Sequence, residues 1–267
     1  MVMSVVATVE SLWRYPVKSM RGEEMEEIFV SYAGVYGDRL FAFRSSTARK
    51  GLPFLTGRDQ REMIRYSPRF RYPEKAGRPF NLEEAAKLSP LVNPVSAGAD
   101  DLMIDVETPE GRTFAIDDPR LIEHLQQKSD QKPHLILHRS DKAMTDCCPV
   151  SIFALQTASQ LARESGLSVD KRRFRANIYL DLADGKGFAE DQFVGNALRL
   201  GPRVIVQVIA RDTRCMMITL NPDTAEKSPP ILKAVAQGHE SMAGVYGVVL
   251  AEGLVRKGDP VELLSEK

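Results

Sequence analysis

The sequence predicts a mainly β fold with a few helices, of the α+β class. Many short apolar runs are bounded by glycine, proline and asparagine, which is typical of strands that alternate with turns. Only a few stretches place apolar residues at helical spacing. Many short strands with few helices indicate a barrel or sandwich architecture. The 267 residues allow one large domain or two modest ones. The polar stretch 129–133 predicts a linker, which divides the chain into residues 1–130 and 131–267.

The first half contains five predicted strands, at 4–12, 28–30, 40–43, 102–106 and 113–116. Pro16 cannot donate to a strand ladder and ends the first of them. The turn Pro109-Glu110-Gly111 joins the last two and predicts a hairpin. Asp118 followed by Pro119 is typical of a helix start, because Asp caps free backbone N–H groups and proline lacks one. The stretch 89–101 is rich in turn-forming residues and predicts a loop.

The second half contains five further predicted strands, at 135–137, 178–182, 204–210, 245–250 and 258–264. A helix is predicted from Ser151 to Ser165, because its apolar residues follow helical spacing and Gly166 is a typical stop. A second, short helix is predicted from Pro229 through Ala236.

The composition excludes several classes of function. Lysine plus arginine and aspartate plus glutamate both number 36, so bulk charge favours neither nucleic acid nor a membrane surface. No run reaches the ~18 apolar residues of a membrane span, and the N-terminus lacks the order of a signal peptide. The three cysteines, Cys147, Cys148 and Cys215, do not form a disulfide framework. We therefore expect a cytoplasmic protein, in a reducing compartment, without a membrane span.

Cys215 is the strongest candidate for chemistry. It follows the apolar, β-branched strand 204–210 and lies close to Arg211 and Arg214. Fixed positive charge favours the thiolate form of a cysteine, and the thiolate binds soft metals or acts as a nucleophile. The alternative is a buried cysteine that packs as a small apolar residue, which is the commoner case.

Three further places bring cations close to strand ends. Lys18 and Ser19 follow the first strand and offer a cation and a hydroxyl to a phosphate or another anionic group. Arg39 is either ion-paired to Asp38 or directed at an anion, and the sequence leaves both open. Arg175 and Asn177 are two residues apart, so on an extended chain they would share a face suited to a phosphate and a heterocycle edge.

Two other stretches predict less. The arginine-rich segment 49–71, with Gly57-Arg58-Asp59-Gln60 at its centre, carries charges of both signs and predicts a solvated face. Cys147 and Cys148 are neighbours whose side chains are expected to point in different directions, and no second pair of cysteines completes a zinc site. We expect no zinc there.

Several short motifs occur in a fixed order along the chain. Two lie in the first half, Tyr15-Pro16-Val17-Lys18-Ser19 and Gly37-Asp38-Arg39. Four lie in the second half, Arg173-Phe174-Arg175-Ala176-Asn177-Ile178, Phe188-Ala189-Glu190-Asp191, Thr213-Arg214-Cys215 and Gly258-Asp259-Pro260-Val261. Together they resemble the MOSC-domain family, which includes molybdenum-cofactor sulfurase C-terminal domains and the mitochondrial amidoxime reducing component. The resemblance spans nearly the whole chain and implies two β-barrel-like lobes, a MOSC N-terminal barrel over 1–130 and a MOSC domain over 131–267.

The resemblance also implies a molybdenum–molybdopterin cofactor (Moco), with Cys215 as its metal ligand and the catalytic residue. The implied cofactor-binding residues are Lys18, Ser19 and Arg39 from the first domain and Arg175, Asn177, Thr213, Arg214 and Tyr246 from the second. The family's Asp-Thr-Ser-Pro stands here as Asp146-Cys147-Cys148-Pro149, so Cys147 and Cys148 replace two hydroxyls at the cofactor. Ala176 replaces a common proline. The family is also associated with pyridoxal phosphate binding.

The activity implied by the resemblance is reduction of N-hydroxylated or similarly N-oxygenated small molecules. Three cysteines cannot supply a four-cysteine iron–sulfur site beside a molybdenum thiolate, and no dinucleotide fingerprint follows a strand. Electrons are therefore expected from a separate donor protein, of cytochrome b5 or ferredoxin type. Two alternatives stay open. One is a non-catalytic carrier of molybdenum cofactor or sulfur, and the other is a β-barrel interaction domain without cofactor, which the Cys147-Cys148 replacement favours.

Overall fold

The computed structural model describes residues 2–88, 94, 97–129 and 131–265. Within these ranges the strands are β1 (Val2–Arg14), β2 (Glu23–Met25), β3 (Glu27–Ser31), β4 (Gly34–Val35), β5 (Phe41–Ser45), β6 (Ser67–Phe70), β7 (Ile104–Glu107), β8 (Thr113–Ala115), β9 (Leu135–Arg139), β10 (Val150–Ala154), β11 (Ile178–Leu182), β12 (Ala197–Leu200), β13 (Val204–Thr213), β14 (Met242–Ala251), β15 (Gly253–Arg256) and β16 (Pro260–Ser265). The α-helices are α1 (Pro73–Ala76), α2 (Leu82–Leu88), α3 (Pro119–Gln127), α4 (Leu155–Ser165) and α5 (Pro229–Gly238). Short 3₁₀ helices span Arg61–Arg65, Asp100–Leu102, Lys171–Phe174, Ala189–Phe193 and Met216–Thr219.

Seven of the described strands close into a barrel. Their order is β11-β10-β14-β13-β12-β16-β1, and β1 pairs with β11 to complete the ring. The pair β10–β11 is parallel, and the other neighbouring pairs are antiparallel. Closure leaves none of these strands with an unpaired edge. The interior is filled by the inward residues of each strand, such as Val9, Ile152, Leu180 and Val206.

The first strand of the chain therefore belongs to a barrel built mostly from the second half. β1 lies between β11 and β16, and its register shifts between Val5 and Ala7 and between Val9 and Ser11. Such bulges bend a long strand and increase its twist, which suits closure of a small barrel. β2 extends β1 beyond the ring through the pairs Leu12–Met25 and Arg14–Glu23.

The other lobe, called the second lobe below, is built mostly from the first half of the chain and packs beside the barrel around its own core. It holds three small sheets, β15-β3-β4, β5-β9 and β6-β7-β8. Large buried side chains fill it, including Phe29, Phe41, Met63 and Leu121. The fold class predicted from the sequence is confirmed, because the chain is mainly β with a few short helices and contains a closed barrel.

The predicted helices and strands were mostly confirmed, with one clear error at the start of a helix. The predicted hairpin is β7–β8, and Asp118 caps α3 by accepting a hydrogen bond from Arg120 N. The predicted helix over 151–165 is wrong at its start, because 150–154 form β10 and α4 begins at Leu155. Hydrogen bonding to β11 and β14 overrides the helical spacing there. Its end is confirmed, since Gly166 stops the helix with a left-handed φ of 70°.

The predicted loop and the expected absence of a membrane span concern different parts of the chain. Much of the predicted loop 89–101 lies outside the described residues, which include 94 and 97–101 of it. Among the helices that the structure does describe, none is both long and apolar enough to cross a membrane.

Candidate functional site

A cavity of about 640 Å³ lies where the barrel meets the second lobe. Both halves of the chain line it. The first half contributes Lys18, Ser19, Arg39, Leu52, Thr56 and Arg58. The second half contributes Thr145, Asp146, Cys147, Ser151, Arg173, Phe174, Arg175, Ala210, Arg211, Asp212, Thr213, Arg214, Cys215, Met217, Ile218, Met242 and Tyr246. The lining is dominated by cations, with only two carboxylates among these residues.

Cys215 lies at the wall of this cavity. It follows β13 and immediately precedes the 3₁₀ helix Met216–Thr219, so the end of a barrel strand fixes its backbone. Its Sγ accepts hydrogen bonds from Arg58 Nε at 3.3 Å and Arg58 Nη2 at 3.2 Å. A half-buried thiol that faces two guanidinium N–H groups is placed for metal binding or nucleophilic chemistry.

A capped turn in the second lobe presents Arg58 to Cys215. Asp59 Oδ2 accepts hydrogen bonds from Thr56 N and Oγ1 at 3.0 and 2.9 Å, and Thr56 Oγ1 accepts one from Arg58 N at 3.2 Å. Gly57 lies against Met217, where a Cβ would stand 2.7 Å from Met217 Sδ. The loop thus approaches the barrel closely, and the prediction that this segment is only a solvated face is wrong for Arg58.

Asp146 joins two cations of the cavity. Its Oδ1 accepts a hydrogen bond from Lys18 Nζ at 2.6 Å, and its Oδ2 accepts one from Arg58 Nη2 at 3.3 Å. Burial raises the pKa of Asp146, but Lys18 and Arg58 outweigh burial and hold this pKa below its usual value. Burial is also the largest effect on Lys18 and lowers its pKa, although Asp146 opposes the shift.

Two guanidinium groups pack on the same buried ring. Arg39 and Arg175 lie 4.7 and 4.3 Å from the centre of the Tyr15 ring. Arg39 is ion-paired to Asp38 and donates from Nη2 to the Arg175 carbonyl at 3.0 Å, so it is both paired and turned to the cavity. Ser19 is a further cavity residue whose φ, like those of both arginines, is positive, between 46° and 65°. Such φ values are costly for side chains of this size and cluster at functional sites.

Arg175 is the least satisfied of these cations. Its Nη2 is buried, and no described residue offers it a hydrogen-bond acceptor. Burial lowers its pKa to about 10, and neighbouring Arg39 adds to the shift. A buried guanidinium N–H without an acceptor is costly, which indicates that an anionic or carbonyl oxygen belongs at this place.

Arg214 and Asp212 form a buried ion pair on the barrel side. Arg214 Nη2 lies 2.7 Å from Asp212 Oδ2, and its Nε donates to the Ala243 carbonyl at 2.7 Å. Burial raises the pKa of Asp212 to about 6, despite Arg214 and a hydrogen bond from Tyr246. Burial also raises the pKa of Tyr246. The pKa of the Asp212 carboxyl is therefore well above that of an exposed aspartate.

The structure brings most of the predicted site residues to this cavity. Those that line it are Lys18, Ser19, Arg39, Cys147, Arg175, Thr213, Arg214, Cys215 and Tyr246. Cys148 and Asn177 are buried and do not line it. The expectation that Arg175 and Asn177 share a face is wrong, because Arg175 adopts a left-handed φ of 53° instead of an extended one.

Asn177 holds the barrel together. Its Oδ1 accepts hydrogen bonds from Ser151 N and Oγ at 3.2 and 3.1 Å, and its Nδ2 donates to the Trp13 carbonyl at 3.3 Å. These bonds connect β10, β11 and β1 at the closure of the ring. In this structure the Asn177 side chain is therefore engaged in hydrogen bonds within the barrel.

The two adjacent cysteines do not point apart. Cys147 Sγ and Cys148 Sγ lie 3.1 Å from each other, with Cys147 exposed at the cavity wall and Cys148 buried behind it. The expectation of divergent side chains is therefore wrong, since the chain is bent and not an extended strand just before β10.

Sequence reasoning missed several other cavity residues, among them the charged residues Arg173, Asp146 and Asp212. Arg173 donates from Nη1 to the Thr219 carbonyl at 2.7 Å. A signal for Arg58 was present in its own segment, because Thr56 and Asp59 flank it at the spacing of a side-chain-capped turn.

The fold and the cavity define a two-lobed β-barrel protein that presents a thiol to a cation-lined site. The chain belongs to the MOSC family, since the MOSC N-terminal beta barrel domain matches residues 6–145 and the MOSC domain matches residues 139–262.

Curated relatives match across nearly the whole chain. The human mitochondrial amidoxime-reducing component 1 is 25% identical over 293 aligned positions, which cover 98% of this chain and 84% of that protein. The mouse protein of the same name is 24% identical, with 98% and 83% covered. Among solved structures, the YUAD protein from Bacillus subtilis aligns with a TM-score of 0.49 at 14% identity, covering 100% of this chain and 99% of that one.

Proposed function

We propose that the protein is a molybdenum-cofactor-dependent oxidoreductase that reduces N-hydroxylated small molecules with electrons from a separate protein. The observation that carries this proposal is Cys215, whose Sγ faces a cavity lined by cations and accepts two hydrogen bonds from Arg58. Membership of the MOSC family and relatives named as amidoxime-reducing components support it.

The residues of the cavity fit the proposed cofactor. Molybdopterin carries a phosphate and a polar heterocycle, and both need N–H donors. Lys18, Arg39, Arg175 and Arg214 supply such donors, and the buried Nη2 of Arg175 lacks an acceptor among the described residues. A soft thiolate such as that of Cys215 suits a soft metal centre. The donor set and the unpartnered N–H both point to an anionic, sulfur-ligated group.

We assign a role in the proposed site to several residues of this chain. Cys215 would hold the metal, and the cations with Ser19, Thr213 and Tyr246 would hold the organic part. When bound, the cofactor supplies the two-electron chemistry, which protein side chains lack. Arg58 orients the Cys215 side chain through Nε and Nη2.

Reduction of an N-hydroxyl group also consumes protons. Written in full, R–NHOH + 2 e⁻ + 2 H⁺ gives R–NH₂ + H₂O. Asp212 lines the cavity, and burial raises its pKa to about 6, so this carboxyl takes up and releases a proton more readily than an exposed aspartate and is the proposed proton donor. Tyr246 is hydrogen-bonded to Asp212 and also lines the cavity.

The electrons are proposed to come from another protein, of cytochrome b5 or ferredoxin type. Only Cys147 and Cys148 remain once Cys215 is assigned to the metal, and two thiols do not hold an iron–sulfur cluster.

The test is made on protein produced in a host that synthesises the cofactor. We expect molybdenum and pterin at about one per chain and turnover of an N-hydroxylated amidine with reduced viologen as donor. We expect the Cys215→Ala protein to lose both bound molybdenum and turnover. The control variant Arg61→Gln, at an exposed residue, should keep both.

Other results would contradict the proposal in distinct ways. Cofactor without turnover of any N-hydroxylated compound would indicate a non-catalytic carrier. A persulfide on Cys215 in the mass spectrum would indicate a sulfur carrier. A Cys215→Ala protein with full activity would exclude the assigned role of this thiol.

A further inference from the structure

We infer that Cys147 and Cys148 form an oxidisable vicinal dithiol, a modification site on the cavity wall that peroxides convert to a disulfide. Their Sγ atoms lie 3.1 Å apart in the thiol form. Cys147 is exposed and lines the cavity, whereas Cys148 is buried. The Cys147 thiol is thus accessible to a small oxidant, and the Cys148 thiol lies in contact with the Cys147 thiol.

The geometry predicts a labile bond. Consecutive Cα atoms are about 3.8 Å apart, which is below the roughly 4.4–6.8 Å found for most disulfides. A disulfide between neighbours is therefore strained, and strained disulfides are reduced more easily. The disulfide would form and break reversibly, and it would not stabilise the fold in the way that a structural disulfide does.

The two thiols have different roles in the reaction. Burial, with Cys147 close by, raises the pKa of Cys148 to about 12, so Cys148 is not the first thiol to react. Cys147 attacks hydrogen peroxide, which gives Cys147–SOH and one water. Cys148–SH then displaces the hydroxyl, which gives the disulfide and a second water. In sum, two thiols and one H₂O₂ give one disulfide and two H₂O, and the peroxide takes the two electrons.

The site is connected to Cys215 through the side chains of Asp146 and Arg58. Asp146 precedes Cys147 directly and pairs with Lys18 and Arg58 at 2.6 and 3.3 Å. Arg58 also donates to Cys215 Sγ. A disulfide between neighbouring cysteines restrains the backbone next to Asp146. If the Asp146 carboxylate moves as a result, the contacts of Arg58 change. Oxidation of the dithiol is therefore expected to alter the reactivity of Cys215.

The first experiment identifies the bond in the full-length, cofactor-free chain carrying Cys215→Ser. After treatment with hydrogen peroxide, we expect the peptide containing both cysteines to lose the mass of two hydrogen atoms, and dithiothreitol to restore it. Cys148→Ser should instead accumulate a sulfenic acid on Cys147 that dimedone traps. Cys147→Ser should leave Cys148 unmodified. Sulfinic acid on Cys147 with Cys148 still reduced would overturn the proposal, as would a disulfide between two chains.

The second experiment tests the connection and keeps Cys215. Protein oxidised at the dithiol is separated from the reduced form, and iodoacetamide labelling of the Cys215 peptide is followed by mass spectrometry. We expect the labelling rate to change by about threefold or more, since Arg58 is shared between Asp146 and Cys215. The double variant Cys147→Ser/Cys148→Ser should show no change after peroxide treatment. Equal rates in the two forms of the wild-type chain would refute the connection. Neither experiment depends on the proposed enzymatic activity.

Discussion

Arg58 and Cys215 are 157 residues apart in the chain, yet Arg58 Nη2 lies 3.2 Å from Cys215 Sγ. One residue belongs to a turn of the second lobe and the other to the end of a barrel strand. The contact exists only because the two lobes pack against each other, so the chemistry of the thiol depends on both of them.

The first prediction concerns this contact. Arg58→Gln removes the cationic donors to Cys215 Sγ, and hydrogen bonds to charged groups contribute roughly 1.5–3 kcal/mol. We expect alkylation of Cys215 by iodoacetamide to slow by about tenfold, because the two cationic N–H donors that contact and orient the attacking sulfur are lost. The rate is measured on the Cys215 peptide. Arg61→Gln is the matched control, since Arg61 is exposed and pairs with Glu62. An unchanged rate in Arg58→Gln would show that the contact has no chemical effect.

The second prediction concerns the unpartnered guanidinium. Arg175→Met replaces a buried cation whose Nη2 has no acceptor among the described residues. In the cofactor-free chain we expect the free energy of unfolding to stay the same or to rise by up to about 2 kcal/mol, because an uncompensated desolvation cost disappears. Binding of inorganic phosphate, measured by calorimetry, should weaken by about tenfold. Arg163→Met, on the exposed face of α4, should change neither quantity. A large loss of stability would contradict the argument.

The third prediction is a pH dependence. The pKa of Asp212 is raised by burial from 3.8 to about 6 in the folded chain. The folded state therefore holds this proton more tightly, so the contribution of Asp212 to stability is fully present below pH 3.8 and is lost as pH rises through about 6. Chemical denaturation gives the free energy of unfolding of wild type and of Asp212→Asn. Between pH 4 and 7 we expect wild type to lose roughly 2–3 kcal/mol of stability relative to Asp212→Asn. The exposed Asp184→Asn should show no such slope, and a flat difference for Asp212 would disprove the shift.

The fourth prediction separates structure from ligand binding. Asn177→Ala leaves Ser151 N and Oγ without their acceptor inside the protein. We expect the free energy of unfolding to fall by about 2–4 kcal/mol, since unsatisfied buried groups cost this much. Asn196→Ala removes one hydrogen bond near the surface and should cost much less. If Asn177→Ala retained wild-type stability and lost only phosphate binding, the residue would be a ligand contact instead.

Local patterns were sufficient for the fold class and most elements. The β-branched run 204–210 is part of β13, the Asp118-Pro119 pair starts α3, and Gly166 ends α4. Each of these depends on nearest neighbours in sequence, where propensity and capping act directly. The start of α4 was wrong because hydrogen bonding of β10 to distant strands outweighs helical spacing.

Site residues depended on contacts between distant parts of the chain. Cys215 could be identified from its charged neighbours and its strand, but the position of Arg58 depends on how one lobe docks on the other. Likewise, whether Arg175 and Asn177 shared a face depended on one left-handed residue. A positive φ in arginine carries no local sequence signal, because the surrounding structure imposes it.

The place of β1 in the barrel limits how this protein can be divided. A gene fragment beginning near residue 131 would encode six of the seven barrel strands and would leave β11 and β16 with open edges, which invite aggregation. The two halves are consequently not interchangeable modules for recombination, although two family models describe them. The N-terminal strand would have to accompany any transplanted second half, which ties the evolution of the barrel to the opposite end of its own gene.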